Sequence, residues 1–123
     1  MNGQKLLCEE GMPPAQADGI PNSLEVMVTR IGGVAFVGLP GEVFCEFGME
    51  IKKASPFENT LVMGLTNDNR DYFPTKISFT QGPEGFTPMI TGYETTPGST
   101  LYEPGSGEKL AESAIRQLEK LNK

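Results

Sequence analysis

Residues 24–65 constrain the fold of this chain more than any other feature, because apolar periodicity switches there from strand to helix and back within one uninterrupted stretch. Leu24-Glu25-Val26-Met27-Val28-Thr29-Arg30-Ile31 is rich in β-branched residues and puts Leu24, Val26 and Val28 on one face of a strand. Gly32-Gly33 then supplies two residues that tolerate the positive φ of a primed hairpin turn. The partner run Val34-Ala35-Phe36-Val37-Gly38-Leu39 is almost wholly apolar, the pattern of a strand buried on both faces. Pro40 stops it, and Gly41 permits a sharp change of direction. Over 43–54, Val43, Phe44, Phe47, Ile51 and Ala54 recur at helical spacing until Ser55-Pro56 forbids continuation. Residues 59–65 form another short apolar run of strand length. Strand, helix and strand in that order make a βαβ unit, whose strands are parallel, so Leu39 and Leu65 should end at the same edge of one sheet. The expected class is α/β: a small mixed sheet, made of a β-hairpin followed by a βαβ crossover, with two helices and a long irregular loop.

The flanks are less regular. Residues 1–23, with Pro13-Pro14, Gly19, Pro21 and Asn22, read as a leader or linker with little tendency to order. Residues 66–105 contain Pro74, Pro83, Pro88, Pro97 and Pro104, with short strand pieces at best around 76–79 and 89–93. The 76–105 part is expected to be a loop shaped for a partner surface. Residues 106–121 close the chain as an amphipathic helix, with Leu110, Ala114, Ile115, Leu118 and Leu121 in one stripe. Ser106 is its expected N-cap, and Glu112 and Arg116 an i,i+4 ion pair. At 123 residues, one folded unit over 24–123 is expected, and no internal repeat is present.

Composition excludes several functions. The net charge of −6 argues against a surface that tracks phosphates, so nucleic acid is not an expected partner. No run approaches the roughly 18 to 20 apolar residues that span a bilayer. The chain contains no histidine. A self-contained Ser/His/Asp or Cys/His apparatus is therefore excluded, as is a complete histidine-ligated zinc site built by this chain alone. Cys8 and Cys45 are expected to be free thiols, and cysteine usage does not identify a compartment.

Ligands of open α/β sheets bind at the carboxyl ends of the strands. Glu42 follows one such end, and Asn67, Asp68, Asn69, Arg70, Asp71 and Tyr72 follow the parallel one, so the topology can bring Glu42 to the 67–72 loop. Each residue also has a plainer reading. Glu42 in a first helical turn serves the dipole, the Asn/Asp loop is a turn cluster, and Tyr72 and Phe73 are a packed aromatic pair. Phe44, Phe47 and Met49 are core by the same logic, while Glu94 beside Tyr93, and Tyr102, are loop anchors. Spacing alone supports no more than an α/β domain.

Three further runs add to this: Arg30 through Leu39-Pro40-Gly41-Glu42, Lys52-Lys53-Ala54-Ser55-Pro56-Phe57, and Gly64-Leu65-Thr66-Asn67 through Asp71-Tyr72-Phe73-Pro74-Thr75. With Gly92-Tyr93-Glu94, Ser99-Thr100-Leu101-Tyr102 and Pro104-Gly105-Ser106-Gly107-Glu108-Lys109-Leu110, they occur in an order that resembles the end of the catalytic domain of the neutral/alkaline non-lysosomal ceramidase family. The resemblance covers about residues 24–121. It implies hydrolysis of a linear amide at a zinc ion, with N-acylsphingosine as the name-giving substrate, and it maps two zinc ligands onto Glu42 and Tyr72. Carboxylate and phenolate oxygens are reasonable zinc ligands. The family's histidine ligands and its serine-containing motif have no counterpart here, and Asn69-Arg70-Asp71 and Lys76-Ile77-Ser78-Phe79 depart from its pattern. The resemblance therefore implies a carboxy-terminal portion of a hydrolase domain, inactive alone and holding zinc weakly or not at all. Its partners would be the missing amino-terminal half and a lipid-like amide, ceramide or a related N-acylated compound; a secreted or periplasmic parent stays open. The alternatives are a non-catalytic α/β binding or interaction module that uses the 76–105 loop, or a subunit whose histidines come from another chain.

Overall fold

The computed structural model describes residues 23–80, 92–96 and 98–123. The expected leader, apart from Ser23, and the centre of the long loop lie outside the described residues, as do Cys8 and positions 89–91. Met27–Ile31 (β1) and Val34–Gly38 (β2) pair antiparallel, with Ile31 opposite Val34 across the glycine turn. Only the first of the two glycines, Gly32 at φ +60°, is left-handed, which is the φ pattern of a type II′ turn. Glu42–Val43 (β3) is a two-residue strand, followed by Cys45–Ala54 (α1) and Asn59–Met63 (β4). β4 pairs parallel with β2, giving the strand order β1-β2-β4. The hairpin and the βαβ crossover thus share one mixed sheet. Tyr72–Phe73 (β5) pairs parallel with β3 in a separate two-stranded sheet, and Ser106–Leu121 (α2) closes the chain.

Several local expectations are corrected. The helix starts at Cys45 rather than Val43, because Glu42 and Val43 are held extended against β5 and Phe44 takes extended angles as the N-cap. Glu42 therefore precedes the helix and does not sit in its first turn. Lys76–Phe79 is a 3-10 turn, not a strand: Ser78 N–H donates to the Thr75 carbonyl at 3.0 Å and Thr80 N–H to that of Ile77 at 2.9 Å. Tyr93–Thr95 is a second such turn. At α2, Gly105 occupies the N-cap, while Ser106 is the first helical residue and donates its hydroxyl to the Glu103 carbonyl at 2.7 Å. The Glu112–Arg116 pair forms at 3.9 Å.

The core lies between the three-stranded sheet and both helices. Ala35, Val37 and Leu39 meet Phe47 and Ile51 of α1 and Leu110, Ala111, Ala114 and Leu118 of α2, all buried. Met49 is 68% exposed, since two residues beyond Phe47 on a helix is the opposite side. Gln117 ties α2 to the sheet by donating its amide to the Val26 carbonyl at 3.1 Å. Leu24, Val26 and Val28 pack on this core as their alternation required. The other face of the sheet is different. Val34 and Phe36 of β2 are only half-buried there, and Met27, Ile31, Leu61 and Met63 are exposed. β2 is therefore fully buried on one face alone, because both helices pack on the same side. No helix among the described residues is long and apolar enough to cross a membrane.

Candidate functional site

The carboxyl edge of β2 and β4 is built from backbone first. Leu39 N–H donates to the Met63 carbonyl at 2.9 Å and Thr66 N–H to that of Leu39 at 2.9 Å, extending the parallel pairing beyond the strands. The turn at Leu39-Pro40-Gly41-Glu42 is then gripped by the loop after β4. Leu65 N–H donates to the Gly41 carbonyl at 3.0 Å, Arg70 N–H to that of Pro40 at 2.9 Å, and Glu42 N–H to the Asp71 carbonyl at 2.9 Å. A side chain on residue 41 has no room: a Cβ there would stand 2.6 Å from both the Asp71 carbonyl oxygen and the Phe73 ring.

The loop that grips the turn is tightly wound. Leu65, Asn67 and Asp71 are left-handed, with φ of +51°, +62° and +55°. Such angles are uncommon for residues other than glycine and persist where surrounding bonds over-determine them. Asp68 accepts the Asn69 N–H at 2.9 Å and the Arg70 guanidinium at 2.6 Å, while Asn69 accepts the Asp71 N–H at 3.2 Å. Asn67 reaches Glu25 at 3.2 Å, tying the loop to the entry of β1. The Asn/Asp run is thus a turn cluster, and what it holds in place is Tyr72.

β3 and β5 set Glu42 directly opposite Tyr72, and Val43 opposite Phe73. Alternation then separates the two aromatic residues of β5. Phe73 turns into the core and stacks on Tyr102 at 5.4 Å, whereas Tyr72 turns to Glu42 and meets the Tyr93 ring edge-on at 5.9 Å. The Tyr72 hydroxyl is held above the ordinary tyrosine pKa, chiefly by its hydrogen bond to the Glu42 carboxylate. The charge of Glu42, desolvation and the charge of Glu94 act in the same direction. The strand pairing thus sets a carboxylate and a phenol on neighbouring backbone positions.

Beside this pair lies a groove of about 590 Å³, lined by Glu42, Phe44, Cys45, Met49, Lys52 and Leu65 among others. It is an open groove of mixed lining, with Phe44, Met49 and Leu65 beside a carboxylate and an ammonium group. Cys45 is exposed and not in a disulfide. No three of the His, Cys, Asp and Glu side chains converge among the described residues.

Sequence reasoning placed Glu42 and Tyr72 at one sheet edge but missed the means. β3 and β5 are two residues each, too short for periodicity to register. It gave Tyr93 no role of its own, whereas this residue is 69% exposed and its ring meets that of Tyr72 edge-on; the Gly92-Tyr93-Glu94 run was the available signal. Fold and site together define an α/β unit with a carboxylate–phenol pair at the carboxyl ends of its parallel strands. No family model, curated protein or solved structure matches this chain.

Proposed function

We propose that this chain is the carboxy-terminal portion of a zinc-dependent amide hydrolase domain of the neutral ceramidase type, to which it contributes half of the metal site. The observation that carries the reading is the placement of Glu42 directly opposite Tyr72. Both side chains hang from short strands tied to each other and, through the Gly41 carbonyl and the Tyr72 N–H, to the loops beside them, so the two oxygen donors start from fixed, facing backbone positions. The donor set fits zinc in kind, and in number it fills half of a tetrahedral shell. Zinc, once bound by a complete shell, would polarise the amide carbonyl or lower the pKa of an attacking water.

The chain's own residues orient and hold. Glu42 holds the Tyr72 hydroxyl in its neutral form, and Tyr72 would have to give up its proton to ligate as phenolate, a change that a nearby cation favours. Tyr93 backs the Tyr72 ring edge-on. The apolar side of the groove beside Glu42, formed by Phe44, Met49 and Leu65, suits the hydrocarbon part of an N-acylated substrate. The remaining ligands come from polypeptide outside this chain, which has no histidine.

Zinc titration of the isolated chain should accordingly give weak binding. Nanomolar affinity that disappears on Glu42→Ala would sink the half-site reading, since it would mean a complete shell. In the full-length gene product, hydrolysis of an N-acylsphingosine or a related N-acylated amine should be lost on Glu42→Gln and on Tyr72→Phe. Retained turnover in either variant would count against these roles.

A further inference from the structure

We propose that two copies of this chain join at the outer edge of β4, each β4 pairing antiparallel with the other about a two-fold axis through Leu61, so that their three-stranded sheets become one. β4 ends the strand order, and only its side toward β2 is paired. The bond from Leu39 N–H to the Met63 carbonyl fixes the phase of the ladder. The backbone groups of Asn59, Leu61 and Met63 point to β2, and those of Thr60 and Val62 point outward. Among the described residues, nothing bonds to the outward N–H and C=O groups. The proposal uses neither zinc nor amide chemistry and stands apart from the reading above.

Edges that stay solitary carry charges, proline, bulges or a cover. β1, the other edge, is guarded in this way: Arg30 lies within it, and Gln117 of α2 takes the Val26 carbonyl at 3.1 Å. β4 reads Asn-Thr-Leu-Val-Met, with no charge or proline, and its register to β2 runs without a bulge. The edge also matches itself. With Leu61 on the axis, Thr60 of each copy faces Val62 of the other, and because both present outward groups, each such pair exchanges two hydrogen bonds. Leu61, 49% exposed, lies against Leu61 of the second copy. Asn59 falls opposite Met63, and Glu58 opposite Gly64, so no like charges meet along the seam. The helix layer is unfinished at the same rim. Cys45, Gly48, Met49 and Lys52 recur at i, i+3, i+4 and i+7 along α1 and line the groove together with Val62 and Gly64, and Met49 is 68% exposed. A second copy therefore walls the groove beside Glu42. One strand and one short helix per copy make a contact at the low end of specific interfaces, so the dimer dissociates on dilution. An unrelated extended peptide would bond the same groups without the two-fold register, and the test separates the two.

Sedimentation velocity and disulfide trapping of the 123-residue chain test this. The parent is expected to pass from monomer to dimer with a dissociation constant in the micromolar range. Leu61→Lys sets like charges opposite each other on the axis, at a half-exposed position, and should weaken association at least about 10-fold with an unchanged circular dichroism spectrum. In a Cys8→Ser, Cys45→Ser background, Leu61→Cys should give a disulfide-linked dimer in a glutathione redox buffer. The facing Cα atoms of that non-hydrogen-bonded pair are about 4.5 Å apart, within a disulfide's reach. Asn59→Cys should not be trapped, because position 59 is displaced by about 13 Å along the strand from position 59 of the second copy. Trapping decides the matter if Leu61→Lys fails to fold. A parent that stays monomeric into the millimolar range would overturn the proposal, as would a dimer that Leu61→Lys leaves intact or trapping as fast at 59 as at 61. Thr60 and Val62 amides that exchange slowly at every dilution would assign the edge to other polypeptide and overturn it as well.

Discussion

Substituting alanine for Gly41 should damage the site through packing alone. The glycine is required for space rather than for a left-handed backbone, since its φ is not in that region. The added Cβ would lie 2.6 Å from the Asp71 carbonyl oxygen and 2.6 Å from Cε2 of Phe73. Neither neighbour yields easily. Phe73 is 1% exposed and stacked on Tyr102, and the Asp71 carbonyl already accepts the Glu42 N–H. Overpacking of this kind costs about 1–3 kcal/mol. If β3 moves away, the bonds from Glu42 N–H and to the Gly41 carbonyl weaken as well, at about 0.5–1.5 kcal/mol each. The lower unfolded-state entropy of alanine returns about 0.4–1 kcal/mol. The net expectation is a loss of about 2–4 kcal/mol in urea denaturation. A Gly41→Ala variant within about 0.5 kcal/mol of the parent chain would refute the claim that the turn and the loop are interlocked.

Other perturbations separate the core from the surface. Leu118→Ala, at a fully buried position between α2 and the sheet, should cost about 2–5 kcal/mol in the same assay. Arg116→Ala breaks an exposed 3.9 Å ion pair and should cost under about 0.5 kcal/mol. Alkaline pH supplies a third test. Burial raises the Tyr102 hydroxyl above the ordinary value of 10.0, with Arg70 opposing, so the folded state favours the neutral phenol. That stabilisation is intact below the unfolded pKa and is lost as pH climbs through the higher folded one. Tyr72 acts in the same direction because of Glu42. Stability followed by urea denaturation from neutral to strongly alkaline pH should therefore fall, and Tyr102→Phe should flatten the fall; an unchanged slope would contradict the assignment.

The hairpin, the crossover and the two helices were legible because each spans enough residues for a period to show. Gly32-Gly33 and Ser55-Pro56 marked boundaries that the structure keeps. The burial of β2 was half legible: the apolar run 34–39 announces two covered faces, and α1 with α2 supplies one of them. The site was legible as a place, not as a device. Topology put Glu42 and the 67–72 loop at one edge, but the bridge that aligns Glu42 with Tyr72 depends on three left-handed residues and on backbone bonds from distant carbonyls. None of these leaves a periodic trace in the sequence. Met49 was misread for a related reason, since an apolar residue off the buried stripe looks like core until the helix is phased against its sheet.

Under the proposed function, Glu42 and Tyr72 are partners on one zinc ion. Its most direct test is zinc content and affinity in the full-length gene product, compared with Glu42→Gln and Tyr72→Phe variants of matched stability. Stoichiometric zinc is expected in the parent and a loss of affinity in both variants, with the Glu42→Gln loss the larger because it removes the charged ligand. Zinc bound equally well by all three proteins would contradict it.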